Sequence, residues 1–153
     1  MKEKIKIYTD GSARGNPGPA GWGVVFLGRK KTFEIGGRSD YATNNQMELT
    51  GPIEAFKYLK KHKITGEVEI ISDSKYVILG ITEWIFNWQK NNWRNAAKEP
   101  VSNKELWEEL YELTKIFKPK WTYVKGHNEN KYNERADEIA TSFADNMPVK
   151  LRK

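Results

Sequence analysis

The sequence predicts an α/β fold built on a mixed sheet of about five strands, flanked by about five helices. Three strand-like segments follow one another closely at the start of the chain, with turn-forming stretches between them, which is typical of an antiparallel meander. Helix-like segments then alternate with two further strands, and such alternation implies parallel crossovers. The predicted strands cover residues 4–10, 21–27, 31–37, 67–72 and 120–124.

The first strand is predicted from alternation and from where it stops. Ile5 and Ile7 alternate with polar neighbours, as in a half-buried strand, and the strand ends on Asp10. The small residues from Ala13 to Gly21 are predicted as a loop, after which the chain resumes a strand.

The helices are predicted from apolar side chains that recur at helical spacing. In the first helix Leu49, Ile53 and Phe56 share one face, and Asn44 is the expected N-cap. The predicted helices cover residues 44–63, 74–80, 82–93, 130–145, and a segment that runs from an Asn103 or Ser102 cap to Phe117.

Composition limits the classes of protein to which the chain can belong. At 153 residues the chain is expected to form one domain over residues 1–146, with a basic, flexible tail at 147–153. The absence of cysteine excludes disulfides and thiolate metal sites. Because no apolar segment is long enough to span a membrane and no signal-peptide pattern opens the chain, we expect a cytoplasmic protein without a membrane partner.

The net charge of +6 has two interpretations. It can serve solubility alone, or it can indicate a polyanionic partner, with nucleic acid first. Composition does not decide between them.

Four carboxylates stand at positions where a ligand site can form. Asp10 and Asp73 each end a predicted strand, and ligands of open α/β sheets bind outside the carboxyl ends of strands. Glu48 lies in the first turn of a helix, and Asp137 lies on the last helix beside an apolar stripe. If the four converge, oxygen ligands without sulfur select hard cations such as Mg²⁺ or Mn²⁺. Two such ions about 3.5–4 Å apart are the usual arrangement for phosphodiester cleavage.

Each of these acids also has a structural interpretation. An aspartate after a strand is a common turn residue, and a glutamate in a first helical turn is common for capping. Asp137 could pair with Arg135 or with a lysine. The functional interpretation therefore depends on convergence.

The ordered motifs carry a family resemblance. The segments "IYTDGSARGNPGPAGWG", "TNNQMEL", "ISDSKYV" and "WTYVKGH…NERADEIA" together resemble ribonuclease H of type I over roughly residues 5–145. The resemblance implies the ribonuclease H-like fold and endonucleolytic hydrolysis of the RNA strand of RNA–DNA hybrids, with 3′-hydroxyl and 5′-phosphate products. It implies a monomer that uses two Mg²⁺ ions per site, for which Mn²⁺ substitutes.

The resemblance also assigns roles to individual residues. The metal-binding and catalytic carboxylates would be Asp10, Glu48, Asp73 and Asp137, and His127 would match a mobile histidine that assists proton transfer or product departure. The alternative for His127 is an exposed loop histidine without a role. His62 has no matching context and receives no role.

Further residues match positions that contact the hybrid. The RNA strand would be read by Gly11, Ser12, Ala13, Asn44 and Lys75. The DNA strand would be contacted by Asn16, Thr43, Asn45 and Trp84. A basic protrusion would place Lys90, Arg94, Lys98 and Lys104 on phosphates. The alternatives are a tight hairpin for the glycines, core packing for Trp84 and a solvated helix face for the cations.

The glycine beside Asp10 has a specific expected role. Without a side chain, Gly11 would let a sugar–phosphate backbone approach the main chain closely. The neighbouring backbone N–H groups could then contact the 2′-hydroxyl, which distinguishes RNA from DNA.

Three positions depart from the family pattern. Tyr41 stands where some bacterial members carry arginine, Lys75 where glutamine is frequent, and Glu129 where glycine is frequent. None of these changes removes an expected metal ligand.

Two other functions are compatible with parts of the sequence. A hybrid-binding module without catalysis would gain from losing the negative cluster, and the four acids are intact. A transposase or integrase of similar architecture would need a different placement of acids after the fourth strand and additional DNA-binding domains.

Overall fold

The computed structural model describes residues 4–29, 31–126 and 130–153. Within them, five strands form one sheet in the order β3-β2-β1-β4-β5. The strands are β1 (Lys4–Ala13), β2 (Gly18–Leu27), β3 (Thr32–Ala42), β4 (Glu67–Ser72) and β5 (Lys120–Tyr123). β1, β2 and β3 pair antiparallel, whereas β4 pairs parallel with both β1 and β5. The predicted mixed sheet is confirmed.

The first hairpin differs from the prediction. β1 continues beyond Asp10 because Gly11, Ser12 and Ala13 pair with β2 in register, so most of the small-residue segment is strand and not loop. The connection shortens to residues 14–17. Small residues permitted this pairing because β1 and β2 lie directly beneath packed helices at this end of the sheet.

The helices form four continuous bodies in the described residues. These are α1 (Asn44–Lys61), a body of α2 (Lys75–Leu79), a π-helical turn (Gly80–Trp84) and α3 (Ile85–Lys90), then α4 (Lys104–Phe117) and α5 (Lys131–Ala144). The predicted count of about five helices treated residues 74–80 and 82–93 as two separate helices. The two are joined because backbone hydrogen bonding continues through the π turn. Gly80 has no side chain there because a Cβ atom would overlap the Trp107 ring.

The N-cap of α1 is Thr43 and not the expected Asn44. The Thr43 side chain accepts a hydrogen bond from the Gln46 N–H, and the Gln46 side chain accepts one from the Thr43 N–H. This reciprocal capping box decides between two adjacent residues that both make good caps. Asn103, one of the two expected caps of α4, stands at its N-cap position without a side-chain capping hydrogen bond, whereas Asn130 caps α5 by accepting the Tyr132 and Asn133 N–H groups.

The core lies on both faces of the sheet. The larger cluster contains Ile7 and Phe26 of the sheet, packed with α1, the π turn and α4. A smaller cluster on the opposite face packs Tyr8, Val25 and Ile71 against Ala136 and Ile139 of α5. Adjacent residues Ile7 and Tyr8 therefore serve different clusters, as the alternation of a strand requires.

Residues 147–153 contact the domain beside β3. Arg152 donates its N–H to the Glu34 carboxylate at 2.8 Å, and its carbonyl accepts the Glu34 N–H at 2.8 Å. Arg135 of α5 donates to the same carboxylate and to the Lys150 carbonyl. Glu34 thus links β3, α5 and the tail. The domain boundary at residue 146 and the flexibility of the tail remain predictions.

Glu34→Gln is expected to lower the free energy of unfolding by about 2–4 kcal/mol at pH 7, because it leaves the Arg135 guanidinium partly buried without its main counter-charge. The hydrogen bond from Arg135 lowers the pKa of Glu34. A lowered folded-state pKa stabilises above the unfolded-state value and loses that effect as pH falls through the folded-state value. Urea unfolding at pH 7 and at pH 3 should therefore show the difference between the variants shrinking in acid.

Glu138→Gln is the matched control. Glu138 bonds the same guanidinium at 2.6 Å, but its side chain is 58% exposed, so we expect a loss below about 1 kcal/mol. Equal losses in the two variants would contradict the role assigned to Glu34.

No helix within residues 4–29, 31–126 and 130–153 combines the length and apolar character needed to cross a bilayer.

Candidate active site

Three carboxylates converge at one edge of the sheet. Asp10 of β1, Glu48 of α1 and Asp73, directly after β4, each contribute an oxygen, and these oxygens lie within 4.8 Å of one another. Convergence was the condition on which the functional interpretation of these acids depended. For these three residues the structure meets it.

Sheet topology brings the two aspartates together. β1 and β4 are parallel neighbours in which Thr9 is aligned with Ser72. Asp10 and Asp73 are the next residue on each strand path, so their side chains leave the sheet at the same end. The side chain of Ser72 accepts the N–H of Ser74, which shapes the chain immediately after Asp73.

Glu48 reaches the site because α1 lies directly against β1. A Cβ atom added to Gly11 would lie 2.7 Å from the Met47 Cβ and would overlap the backbone of Met47 and Glu48. Only glycine leaves room for this approach. The missing side chain at Gly11 is thus required by the α1 contact, a reason that differs from the expected approach of an RNA backbone.

The site is electrostatically unfavourable without cations. Burial is the main cause that raises the pKa of Asp10 to about 8, and the nearby Asp73 and Asp137 raise it further. Burial, with repulsion from Asp10 and Asp73, also raises the pKa of Glu48 well above its ordinary range. The fold therefore keeps these acids buried and close together, although burial and mutual repulsion both disfavour their charged forms.

Asp137 lies next to the three-carboxylate cluster. It lies close enough to Asp10 to contribute, with its charge, to the raised pKa of that residue. α5 presents Asp137 beside the buried Ala136. The alternative in which Asp137 pairs with Arg135 is wrong, because the Arg135 guanidinium binds Glu34 and Glu138.

The chemistry of the donor set fits a hard divalent cation. All the ligand atoms are carboxylate oxygens, which Mg²⁺ and Mn²⁺ prefer. The Glu48 Oε2 atom is buried and has no hydrogen-bond partner among the described residues. A buried acceptor without a donor is costly, and a cation would satisfy it.

The backbone around Gly11 is already hydrogen-bonded. Gly11 donates its N–H to Asp10 Oδ1 at 2.9 Å, and Ala13 donates its N–H to Asn44 Oδ1 at 2.6 Å. The N–H groups of residues 12–16 were expected to contact 2′-hydroxyls, and of these the Ala13 N–H is engaged, as is the Arg14 N–H, which donates to the Pro19 carbonyl at 2.8 Å. The Ser12 hydroxyl and the Asn44 amide N–H groups are further donors that this segment can offer a ligand.

The start of α1 is tied to the first hairpin connection. Asn16 Oδ1 accepts the Asn44 N–H at 2.8 Å, while Thr43 caps the helix and Asn45 is exposed. Gln46 was not singled out from the sequence as a functional residue. The spacing of Thr43 and Gln46, typical of a capping box, was the available signal.

Other expected nucleic-acid contacts lie on the surface. The exposed Lys75 holds its ammonium 5.5 Å from the centre of the Tyr123 ring. Trp84 is 40% exposed, whereas Trp88 packs against the core. Lys90, Arg94 and Lys98 are all exposed in and after α3.

His127 and Glu129 lie outside the described residues. The neighbouring Gly126 is described. A Cβ atom there would lie 3.1 Å from Asp73 Oδ2, so the chain passes close to the carboxylates immediately before the expected histidine.

The family model described as RNase H matches residues 2–145. Ribonuclease H of Erythrobacter litoralis is 46% identical over 143 residues, covering 94% of this chain and 97% of the relative. Ribonuclease HI of Pseudomonas syringae pv. tomato is 43% identical over 147 residues, covering 96% of each chain.

Solved structures of similar proteins share the fold. LC9-RNase H1, a type 1 RNase H, superposes with a TM-score of 0.85 at 25% identity, covering 96% of this chain and 74% of that one. LC11-RNase H1 in complex with an RNA/DNA hybrid gives a TM-score of 0.72 at 28% identity, covering 93% and 97%. With the family model spanning nearly the whole chain and relatives of this similarity, the protein belongs to the ribonuclease H family, type I.

Proposed function

We propose that the protein is an endonuclease that hydrolyses the RNA strand of RNA–DNA hybrids and leaves 3′-hydroxyl and 5′-phosphate ends. The observation that carries this proposal is the convergence of Asp10, Glu48 and Asp73 at the strand ends of a ribonuclease H fold. The similarity to LC11-RNase H1, whose structure contains an RNA/DNA hybrid, supports the substrate. A monomer acting in the cytoplasm is part of the same proposal.

Asp10, Glu48 and Asp73 would hold the divalent metal, with Asp137 beside them as a fourth ligand. Mg²⁺ fits the oxygen donor set, and Mn²⁺ should substitute. When two such ions are bound, they lower the pKa of an attacking water and stabilise the leaving oxygen. The chain's part is to fix the carboxylates on a strand end and a packed helix, so that little reorganisation is needed. His127 would assist proton transfer or product departure.

The RNA strand would lie along the connection between the first hairpin and α1. The Ser12 hydroxyl and the Asn44 amide would contact 2′-hydroxyls, beside Gly11 and Ala13. Lys75 would contact a phosphate near Asp73, because its ammonium is exposed and lies within two residues of that carboxylate. A 2′-hydroxyl both donates and accepts hydrogen bonds, which suits these partners.

The DNA strand would cross the exposed polar residues at the start of α1 and the aromatic surface of the helical body. Thr43 and Asn16 use acceptor oxygens internally, which leaves hydroxyl and amide hydrogens to donate to a phosphate, with Asn45 beside them. The exposed Trp84 ring would pack against a deoxyribose. Lys90, Arg94 and Lys98 would hold flanking phosphates.

Neutralising the basic protrusion should reduce the salt dependence of binding. For a Lys90→Gln, Lys98→Gln variant, the slope of log affinity for hybrid against log salt should become less steep by about 1.8, since each duplex phosphate contact contributes about 0.9. The measurement is fluorescence anisotropy in Ca²⁺ at several salt concentrations. A Lys115→Gln, Lys118→Gln variant, with the same charge loss at the end of α4, should keep the wild-type slope. A wild-type slope in both variants would exclude phosphate contacts from the protrusion.

Activity is tested with a hybrid whose RNA strand is labelled. With Mg²⁺ the wild type should give fragments whose 3′ ends a DNA polymerase extends, which requires a 3′-hydroxyl. Chelator should stop the reaction. Tight binding of hybrid without cleavage in Mg²⁺ and in Mn²⁺ would instead favour a binding module.

A further inference from the structure

Three basic segments distant in the sequence meet at the end of the domain opposite the carboxylates. They contribute Lys31, residues 60–63 and residues 150–153. Lys31 and His62, with Arg152 and Lys153, line one cavity of about 550 Å³. Their side chains lie in exposed positions. Neither the carboxylate cluster nor the basic protrusion accounts for this concentration of charge.

The wall of this cavity is aromatic. Phe33, Tyr58 and His62 line it, with ring centres 5.3 Å apart for Phe33 and Tyr58, and 4.1 Å apart for Tyr58 and His62. Phe33 also stacks on the buried Phe26 at 4.4 Å, so the wall is anchored in the core. The Lys31 ammonium lies 6.0 Å from the Phe33 ring centre, at the rim.

Glu34 is the one acid among the described residues of the cavity lining, and its negative charge does not neutralise the cations of the cavity. Glu34 is 9% exposed, and its carboxylate is bound by the Arg135 guanidinium and the Arg152 N–H. The remaining charged residues on the lining are the cations Lys31, Arg152 and Lys153. The cavity therefore offers positive charge beside aromatic surface.

The cavity is remote from the reaction. Glu48 stands near the start of α1, and His62 follows its last residue, so at 1.5 Å per residue the two lie about 20 Å apart along the helix. A ligand in the cavity does not reach the carboxylates.

We propose that this cavity, the distal aromatic site, binds a nucleotide unit of single-stranded nucleic acid. One base would stack against the aromatic wall while adjacent phosphates contact the lysines at the rim, the combination that single-strand binding surfaces use. The proposal goes beyond hydrolysis of the hybrid, since it gives the protein a second contact for an unpaired strand.

Two features favour a single strand over other anionic ligands. The bases of a duplex are stacked on one another and do not offer a face to a side cavity of this size. The positive charge also continues past the lining residues to Lys60, Lys61 and Lys63, which are exposed and adjoin His62. A free mononucleotide would need only the cations of the cavity itself, whereas a strand continues along the surface.

The test is binding of fluorescein-labelled (dT)15, a DNA that the proposed activity does not cleave. A Lys31→Gln, Lys153→Gln variant should bind about tenfold more weakly at low salt. Its salt slope should become less steep by about 1.4, since each single-strand phosphate contact contributes about 0.7. His62→Ala should weaken binding about fivefold, the lower end for one stacked base.

The matched control is the Lys115→Gln, Lys118→Gln variant, which should bind within twofold of wild type. Hydrolysis of hybrid by all three variants should remain at the wild-type rate, which separates this proposal from the proposed function. Equal weakening in both double variants, or none in either, would overturn the proposal. If dTMP competed as effectively as unlabelled (dT)15, the cavity would bind a free nucleotide, and the proposal that it binds a single strand would be overturned.

Discussion

Asp10→Asn is expected to lower hybrid hydrolysis by at least about 10³-fold and, in the same protein, to stabilise the metal-free fold by about 1–3 kcal/mol. Both effects have one cause. Asp10 is 5% exposed among Glu48, Asp73 and Asp137, so its charge is costly until a cation compensates it. Asparagine keeps the shape of the side chain but removes its charge, and with it one of the three carboxylate ligands of the cluster.

The pH dependence of stability follows from the direction of the shift. The pKa of Asp10 is raised to about 8 in the folded protein, so the folded state holds a proton more tightly than the unfolded state does. The free energy of unfolding of metal-free wild type should therefore fall as pH rises from about 4 toward 8. Glu48, whose pKa is raised in the same direction, adds to the fall. Asp10→Asn should show a shallower decline.

Urea unfolding in EDTA and in Mg²⁺ checks this prediction. Mg²⁺ should stabilise the wild type, since a ligand that binds only the folded state raises its stability, and should stabilise the variant less. Asp40→Asn is the matched control, because that side chain is 95% exposed and lies on β3, which β2 separates from β1 and the buried cluster. If Asp10→Asn destabilised the metal-free protein, the electrostatic account of the site would be wrong.

Gly11→Ala is expected to lower activity by about 10²-fold or more and to destabilise the fold by about 1–3 kcal/mol. The added methyl would overlap the backbone of Met47 and Glu48, so α1 must move away from β1. Because Glu48 is carried on that turn, its carboxylate moves away from Asp10 and Asp73. Steady-state kinetics should show the loss in kcat at saturating hybrid, together with a higher Mg²⁺ requirement.

Gly51→Ala is the graded control on the same helix. Its methyl would lie 3.2 Å from the Thr9 Cβ, a tight contact with a side chain and not a backbone clash. The gain of about 1 kcal/mol in helix propensity offsets part of that cost. We expect near wild-type activity. Full activity in Gly11→Ala would show that the close approach of α1 does not position Glu48.

The positions of the acids at the strand ends were predictable because each acid directly follows a recognisable strand pattern in the local sequence. Asp10 and Asp73 follow apolar strand segments, and the carboxyl ends of parallel neighbours share one edge of the sheet. Their convergence required β1 and β4 to be adjacent, which is a property of the whole fold. Glu48 was placed in a first helical turn from the sequence, but what brings that turn to β1 is the contact at Gly11.

The other differences between the predicted and the observed structure also arise from tertiary contacts. The small residues after Asp10 carry turn chemistry in sequence, yet Gly11, Ser12 and Ala13 are held as strand by pairing with β2. Thr43 and Asn44 are both good caps, and the Gln46 side chain decides between them. The contact of Arg152 with Glu34, more than a hundred positions earlier, is likewise absent from the local sequence, and the flexibility of residues 147–153 stays a prediction. No local pattern contains these contacts.

The measurement that tests the central claim most directly is cleavage of one labelled RNA strand in three contexts. The strand is presented as an RNA–DNA hybrid, as an RNA duplex and alone, with Mg²⁺ or with EDTA, to the wild type and to Asp10→Asn. We predict cutting of the hybrid only, abolished by EDTA and by the substitution. Equal cutting in all three contexts, or a folded wild type that binds the hybrid and leaves it intact in both Mg²⁺ and Mn²⁺, would contradict the account.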